Sequence, residues 1–211
     1  RYDVPDPRVI LPLLQRELSE WSQQLGHLWP RMVGVGLAAP LAMEQWADVL
    51  GPSVADALQH WQGLDLRQTV QAMTSLPVIF TRDTVAACAA ELLLGRGRQI
   101  DSFLYIYVGT FLGGGVVLQG RLLTGPRGNA GAIGSLPVGL SQKRPAPQLL
   151  EVASGWHLEL ALRRNGQTIE QTSAGHALPA AAESEVQAWL QRCANGLAMA
   201  AINAAALLDL D

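Results

Sequence analysis

An aspartate at a junction between two predicted elements is the clearest candidate for acid–base chemistry. Asp83 follows the apolar run Leu76–Phe80, which is typical of a strand, and it precedes an Ala-rich helix predicted over Thr84–Leu94. A carboxylate there can act as a general base in a cleft, or it can cap the helix by accepting backbone N–H groups. Position alone favours the cap by about two to one, and both roles stay open.

A glycine-rich stretch is the clearest candidate for anion binding. Gly109–Gly115 contains four glycines and follows the strand predicted over Phe103–Val108. Phosphate-binding loops need glycine because side chains would keep the anion away from backbone N–H groups. A tight hairpin turn into a strand over Val116–Leu118 is at least as good an explanation. A second glycine-rich loop follows at Gly125–Gly134.

Metal-binding and hydrolase chemistry find no support in the sequence. Zinc sites need His, Cys or carboxylates that converge, and here neither Cys lies at ligand spacing from a His. No Gly-x-Ser-x-Gly nucleophile elbow occurs, so the sequence offers no motif for the nucleophile of a hydrolase triad. We expect surface or core roles for the scattered His and Cys residues: His27, His60, His157, His176, Cys88 and Cys193.

Helices and strands alternate around these candidates, which predicts an α/β fold. Val9–Leu28 has the apolar spacing of an amphipathic helix, and Met32–Leu37 has the length of a strand. Ala38–Pro40 follows that strand directly, at the end where ligands bind in open α/β sheets. Arg121–Leu123 is the expected return strand after a turn at Gln119-Gly120. Further helices are predicted over Glu44–Trp61 (interrupted at Gly51-Pro52-Ser53), Leu66–Met73, Gln148–Val152, Gly155–Arg164 (capped by Ser154) and Glu183–Leu208, the last as one helix or a broken pair.

Composition narrows the class of protein further. The chain has 211 residues, a net charge of -3 and 16% charged residues, so it provides no general basic field for nucleic acid. Two Cys are too few for a disulfide framework, and no apolar run is typical of a membrane span or signal peptide, which favours the cytoplasm. We expect two lobes with a boundary near Arg82, and a chain cut at both ends because it opens with Arg1 and closes at Asp211.

The order of these motifs resembles the ROK family, named for repressors, open reading frames and sugar kinases. Leu76–Glu91 is similar to the family's "lPv-x-x-x-N-D-x-n-a-x-a-x-x-E", and Leu104–Gly120 to its second phosphate loop, "G-T-G-x-G-x-G", with the following hairpin. Gly125–Ser135 resembles "G-x-x-G-x-x-G-E-I-G-H", Leu150–Gly155 resembles "l-E-x-x-a-S-g", and Val33–Pro40 resembles "i-G-i-g-x-p-G-p". Each motif alone is moderately specific, whereas their shared order is a strong signal.

The resemblance implies an actin-like, ribonuclease H-like fold of two lobes with a sugar in the cleft between them. Residues 1–82 would form part of the N-terminal lobe, without its first strands and phosphate loop, and residues 83–211 the C-terminal lobe. The family's kinases use the Asp of "N-D" as the base that takes a proton from the sugar hydroxyl, and Asp83 holds that position. Gly109, Thr110 and Gly113 would belong to a phosphate-loop-like turn.

The departures from the family pattern bear on function. Arg82 replaces the Asn before the Asp, and Phe111 replaces the third residue of "G-T-G", where a ring would crowd a phosphate and glycine's backbone freedom is lost. Ala132 and Ser135 replace the Glu that holds sugar hydroxyls and the signature His. The segment Val138–Pro147 contains no Cys where the family's zinc segment should follow. Neither zinc nor ATP is therefore expected.

The sequence thus predicts the sensing and dimerisation module of a ROK-type transcriptional regulator without kinase activity. A winged helix-turn-helix before Arg1 would bind DNA, and the module would form a homodimer or homotetramer. Arg82, Asp83, Gly128 and Asn129 are the expected contacts for a sugar-like effector, if one binds. Two alternatives stay open: an active sugar kinase with atypical motifs, and a purely structural oligomerisation scaffold with a closed cleft.

Overall fold

The chain folds into two compact units in the computed structural model, which describes residues 5–40, 43–46, 52–139, 146–169 and 179–211. The first unit is Arg1–Asp83 and the second is Thr84–Asp211. This division lies one residue from the boundary predicted at Arg82. The identification of the two units with the two lobes of the family stays a prediction.

The long first helix, α1, begins and ends at residues with clear roles. Asp6 caps it by accepting the backbone N–H of Arg8, and Gly26, at a φ of 46°, ends it. The helix therefore stops at Leu25 rather than at the predicted Leu28, and a 3-10 helix follows. The elements of the first unit are α1 (Pro7–Leu25), β1 (Val35–Ala38), α2 (Pro52–Gln59), α3 (Leu66–Gln71) and β2 (Val78–Thr81), with 3-10 helices at Gly26–Arg31 and Met43–Trp46.

A parallel pair of strands forms the sheet of this unit. The register runs from Val35 opposite Val78 to Ala38 opposite Thr81. Both strands were predicted, although each begins two or three residues later than its apolar run. One face of the sheet packs on α1 and α3 through a core that contains Leu18, Val70 and Val78. The part of the predicted helix Glu44–Trp61 that spans 47–51 lies outside the described residues.

The second unit carries a three-stranded antiparallel sheet with strand order β3-β4-β5. The helix α4 begins at Asp83, the last residue of the first unit, one residue earlier than predicted. Leu112, Ile133 and Leu149 belong to the core of this unit. Its elements are α4 (Asp83–Leu94), β3 (Phe103–Val108), β4 (Leu112–Leu118), β5 (Arg121–Leu123), α5 (Leu149–Ala153), α6 (Gly155–Arg164) and α7 (Ala180–Leu208), with 3-10 helices at Arg96–Gln99 and Ile133–Ser135.

The predicted glycine-rich turn is shorter than expected. Only residues 109–111 connect β3 to β4, because Gly113, Gly114 and Gly115 belong to β4 and pair with β3. This stretch is therefore a tight hairpin turn into a strand that begins at Leu112, and its role as a phosphate loop stays a prediction. The second hairpin also forms as predicted, with Gln119 and Gly120 at φ values of 52° and 70°, which is the backbone that two-residue turns need.

One unbroken helix of 29 residues, α7, resolves the choice between a single helix and a broken pair. Trp189, Cys193, Gly196 and Ala200 recur along one buried face. A Cβ on Gly196 would lie 2.8 Å from Leu149 Cδ1, so glycine allows α7 to approach α5 closely. Across the described residues, none of the helices has the length and apolar character needed to cross a membrane.

Candidate functional site

The carboxyl ends of β1 and β2 lie side by side in the first unit. The backbone N–H of Ala39 donates to the Thr81 carbonyl across 3.2 Å, and the Asp83 N–H donates to the Ala39 carbonyl across 3.3 Å. Ligands bind at the carboxyl edge of parallel strands in α/β folds. Two segments singled out from the sequence, the turn that ends at Pro40 and the pair Arg82-Asp83, therefore meet at one edge.

Asp83 occupies the first turn of α4, and its side chain is exposed. A negative charge there interacts favourably with the N-terminal end of the helix dipole. Burial lowers the pKa of the neighbouring Arg82, while the negative charge of Asp83 acts in the opposite direction. The expected role of Asp83 as a base stays a prediction.

A pocket of about 570 Å³ lies within the first unit. Trp61 and Phe80 supply aromatic surface, while Glu44, Asp65 and Arg67 supply charge. The sequence pointed to the strand end at Pro40, but the rest of the pocket was missed because its walls come from separate segments of the chain. The lining residues are Pro40, Met43, Glu44, Trp61, Gly63, Leu64, Asp65, Leu66, Arg67 and Phe80.

In the second unit, the glycine-rich connection docks on the start of α6. The Gly155 N–H donates to the Gly109 carbonyl across 2.9 Å, and the Trp156 N–H donates to the Thr110 carbonyl across 3.0 Å. A Cβ on Gly155 would lie 2.7 Å from the Gly109 carbonyl oxygen, so only glycine fits this contact. These N–H groups at the start of α6 are thus satisfied by the protein itself.

Ser154 does not cap α6 with its side chain, which corrects the prediction from sequence. Its hydroxyl instead accepts the backbone N–H of Leu112 across 3.1 Å. The Ser154 side chain is fully buried, and the Ser154 carbonyl accepts the indole N–H of Trp189 across 3.1 Å. The competing long-range contact explains the error, because β4 lies close enough to take the hydroxyl that a helix cap would otherwise use.

The glycines of β4 are required by packing against α4. An added Cβ would lie 2.5 Å from Thr84 Cγ2 at Gly113, and 2.5 Å from Cys88 Cβ at Gly115. Thr84 and Cys88 are one helical turn apart, so both glycines face the same side of α4. Close approach of a helix to a strand therefore accounts for these glycines independently of any phosphate.

The second glycine-rich loop closes against the same strand. At Gly131 an added Cβ would lie 2.7 Å from Gly115 Cα, and at Gly134 one would lie 2.6 Å from the Leu112 carbonyl oxygen. Gly128, at a φ of 66°, has nothing within 4 Å of an added Cβ, and Asn129 is exposed. Packing therefore fixes the end of the loop that follows Asn129, while Gly128 and Asn129 face outward.

Phe111, Ala132 and Ser135, three of the positions that depart from the family pattern, have negative φ values. Among the described residues, positive φ values outside glycine occur at Gln119 and Asp209, so Phe111 is not held in a strained conformation. The backbone at position 111 therefore does not need the conformational freedom of glycine, although Phe111 replaces a glycine of the family motif. Ala132 places only a methyl group at the position of the family's Glu, and Ser135 is exposed.

Metal ligands do not converge within the part of the chain that the structure describes. Both Cys88 and Cys193 are free and buried. Burial raises the pKa of the Cys88 thiol to about 11, with a contribution from the charge of Glu91. Residues 140–145, within the segment where the family's zinc site is expected, lie outside the described residues, so the expected lack of zinc stays a prediction.

The expected ligand contacts fall in both units. Arg82 and Asp83 are neighbours at the end of the first unit, and the remaining positions lie in the second. The structure places the phosphate-loop-like residues in the β3–β4 hairpin and the outward-facing pair in the loop before Gly131. The second-unit positions are Gly109, Thr110, Gly113, Gly128 and Asn129.

Comparison with known proteins gives a family match over nearly the whole chain. The model of the ROK family matches residues 12–211. N-acetylmannosamine kinase of Escherichia coli is 42% identical over 85 residues, which are 40% of this chain and 28% of that protein. The xylose repressor of Caldicellulosiruptor bescii is 28% identical over 102 residues, or 48% of this chain and 24% of that protein. The matched segments span about a third or less of the curated relatives.

A solved structure extends the likeness to the fold. The ROK family glucokinase from Streptomyces griseus, in complex with glucose and AMPPNP, superposes with a TM-score of 0.66 and 23% sequence identity. The match covers 98% of this chain and 70% of that protein. The fold is therefore the α/β, actin-like fold of ROK sugar kinases, as the sequence predicted.

Proposed function

The chain belongs to the ROK family, and from this premise we propose that it is the effector-sensing and dimerisation module of a transcriptional regulator without kinase activity. DNA binding is assigned to a winged helix-turn-helix in a part of the protein outside residues 1–211. The net charge of -3 supports this division, because the segment itself offers no basic field for DNA. The regulator acts in the cytoplasm as a homodimer or homotetramer.

The observation that carries this proposal is a loop whose scaffold is kept while its polar groups are replaced. Gly131 and Gly134 still close the signature loop against β4. In the family, the positions of Ala132 and Ser135 carry the Glu that holds sugar hydroxyls and the signature His. A methyl group cannot accept a hydrogen bond, so a bound sugar would lose that contact. Retention of fold with loss of these groups favours sensing over catalysis.

The hairpin connection fits an ATP phosphate poorly. Its Gly109 N–H donates to the Phe111 carbonyl across 3.2 Å, and the Leu112 N–H donates to the Ser154 hydroxyl. Two backbone donors near the connection are thereby engaged within the protein, whereas a phosphate cradle needs such donors to face the anion. The ring of Phe111 adds bulk where the family has glycine. We therefore assign no ATP to this module.

A sugar-like effector would meet exposed polar groups in each unit. Asp83 is exposed at the start of α4, next to Arg82, and Asn129 is exposed in the signature loop. The aromatic and carboxylate groups of the pocket in the first unit suit a small molecule that carries hydroxyl groups. The replacement of the family's Glu and His by Ala132 and Ser135 removes two contacts that would hold an ordinary hexose.

An active sugar kinase is the second candidate. It is supported by the retained Asp83 and by kinases among the relatives, such as N-acetylmannosamine kinase. In this alternative, Asp83 would take the proton from a sugar hydroxyl as that oxygen attacks the terminal phosphorus of ATP, the bond from that phosphorus to the bridging oxygen would break, and ADP would leave. The replaced residues Ala132 and Ser135 argue against it.

The proposal is tested by recovery of genomic DNA with the purified full-length protein. We expect a small set of fragments to be enriched, and their recovery to change when one sugar of a panel is added at saturating concentration. The panel contains D-xylose, D-glucose and N-acetylmannosamine, together with their phosphates. The double variant Asp83→Ala/Asn129→Ala should keep the enrichment but lose the response to the sugar.

Two outcomes would overturn the assignment. One is the lack of any enriched fragment, which removes the regulator. The other is enrichment that no sugar changes, together with no sugar-dependent rise in melting temperature, which leaves the structural scaffold. A saturable rise is expected from any ligand that binds only the native state.

A further inference from the structure

Trp61 belongs to two features of the first unit at once. It lines the pocket of about 570 Å³, and its indole N–H donates to the carbonyl of Pro5, 56 residues earlier in the chain. Trp61 is buried, at 6% exposed, and its hydrogen bond to Pro5 is partly buried. A displacement of the ring by a molecule in the pocket would therefore change the hydrogen bond to the Pro5 carbonyl.

The start of α1 is joined to α2 at a second point. The Asp6 carboxylate accepts from Arg8 Nη2 across 2.7 Å and from Arg8 Nε across 3.1 Å. The same Arg8 Nη2 donates to Asp56 in α2 across 3.3 Å. Asp6 itself is 8% exposed. The start of α1 is thus joined to α2 and to the turn after it, where Trp61 lies.

The turn that carries Trp61 is itself well fixed. The backbone N–H of Trp61 donates to the Leu58 carbonyl across 3.1 Å, and the backbone N–H of Leu64 donates to the Trp61 carbonyl across 3.1 Å. Leu58 is fully buried at the end of α2. The backbone around Trp61 is therefore held by hydrogen bonds within the turn, whereas its indole N–H has the Pro5 carbonyl as its partner.

We propose that Trp61 couples occupation of this pocket to the conformation of the residues that lead into α1. A molecule between Trp61 and Phe80 rotates the indole, the Pro5 carbonyl loses its donor, and the first turn of α1 loosens. The biological role of this coupling rests on the proposed function, in which the DNA-binding domain is assigned to the chain before α1. The coupling itself is a property of the described residues alone.

The test fills the pocket covalently and so needs neither an effector nor DNA. In the full-length protein, Arg67→Cys places a thiol at an exposed pocket residue, and benzyl methanethiosulfonate adds a ring there. Hydrogen–deuterium exchange is then followed for the amides of Arg8–Leu11. Loss of one hydrogen bond predicts exchange roughly two- to tenfold faster in the labelled protein. Peptide masses confirm that position 67 carries the label.

Two controls separate coupling from general loosening. Gln68→Cys, labelled in the same way, puts the ring on an exposed residue that does not line the pocket and should leave the exchange of Arg8–Leu11 unchanged. In a Trp61→Phe background, which keeps a ring but removes the N–H, exchange should already be faster and the label at position 67 should add no further change.

The proposal is overturned if the label at position 67 leaves exchange at the start of α1 unchanged, or if both labelled positions accelerate it equally. The same effect in the Trp61 and Trp61→Phe proteins would also overturn it. A Trp61→Phe protein that fails to fold leaves the comparison of positions 67 and 68 as the decisive one. Failure of the DNA-recovery experiment changes none of these results, so the two proposals fail separately.

Discussion

The hydroxyl of Ser154 accepts the backbone N–H of Leu112 across 3.1 Å and so joins the start of α6 to the first residue of β4. Both residues are buried, and the flanking carbonyls of Gly109 and Thr110 accept N–H groups from α6. The "S-g" motif of the family therefore has a structural role in this chain, because its Ser and Gly hold the β3–β4 connection in place.

Replacement of this serine tests that role. Ser154→Ala leaves the buried Leu112 N–H without an acceptor, and we expect it to lower the free energy of unfolding by about 1–3 kcal/mol. Urea unfolding of the full-length protein measures the change, with the slope checked for each variant. Ser135→Ala, at an exposed serine, should change the value by less than about 0.5 kcal/mol. Equal effects at the two serines would contradict the assigned role.

The glycine at the contact of β4 with α4 gives a second prediction. Gly115→Ala brings a Cβ to 2.5 Å from Cys88 Cβ, so we expect destabilisation by about 1–3 kcal/mol from overpacking. Gly36→Ala in β1 is the matched control, because nothing lies within 4 Å of its added Cβ. The melting temperatures of both variants and of the wild-type protein, measured with and without ATP, show whether Gly115→Ala is the less stable. A Gly115→Ala protein with wild-type stability would show that packing does not require this glycine.

The buried thiol of Cys88 should be unreactive in the native protein. With its pKa raised to about 11, only about a thousandth of the thiol is ionised at pH 8. We expect a disulfide reagent to label Cys88 only after unfolding, as peptide mass analysis would show. Ser135→Cys supplies an exposed thiol for comparison and should react at once. Rapid labelling of native Cys88 would contradict the packing of α4 on β4.

The acid dependence of stability should reflect the pair at the start of α1. The hydrogen bond from Arg8 lowers the pKa of Asp6, so the carboxylate stabilises the fold above its unfolded pKa of about 3.9 and this contribution is lost as the pH falls through the lower folded pKa. Asp6→Asn keeps a helix cap but not the charge. We expect urea unfolding between about pH 2 and 6 to depend less steeply on pH in Asp6→Asn than in wild type.

Arg8→Met removes the partner of Asp6 and provides the second arm of this experiment. It should flatten the same pH dependence as Asp6→Asn does, because either change abolishes the pair. A wild-type pH profile in both variants would show that the Asp6–Arg8 pair contributes nothing to the acid sensitivity of the fold.

Regular elements were predictable where local signals agreed. Three elements have the bounds that the sequence indicated. β-Branched and aromatic content predicted the strand Phe103–Val108, the two-residue turn predicted the strand Arg121–Leu123, and helical spacing predicted the helix Gly155–Arg164. The error at Gly113–Gly115 has a physical origin. Glycines in a row indicate a turn from local preference, but here they allow a strand to contact a helix, and that helix lies elsewhere in the sequence.

The candidate site was predictable only in part. The strand-to-helix junction at Asp83 followed from the apolar run before it and the Ala-rich pattern after it, while the roles of Asp83 and Asn129 as ligand contacts stay predictions. The role of Ser154 and the pocket lined by Trp61 depend on contacts between distant segments, over 42 residues for Ser154 and Leu112 and 56 for Trp61 and Pro5. Periodicity and motif spacing carry no information about such contacts, so the structure was needed to find them.

The most direct test of the central claim is a coupled assay of ADP formation with the full-length protein, ATP, Mg²⁺ and a panel of D-glucose, D-fructose, D-xylose and N-acetylmannosamine. We predict that no sugar raises ADP formation above the protein-free rate, while at least one sugar or sugar phosphate raises the melting temperature of the protein in a saturable way. Sugar-dependent turnover that is saturable and that disappears in Asp83→Ala would contradict it and establish an active kinase.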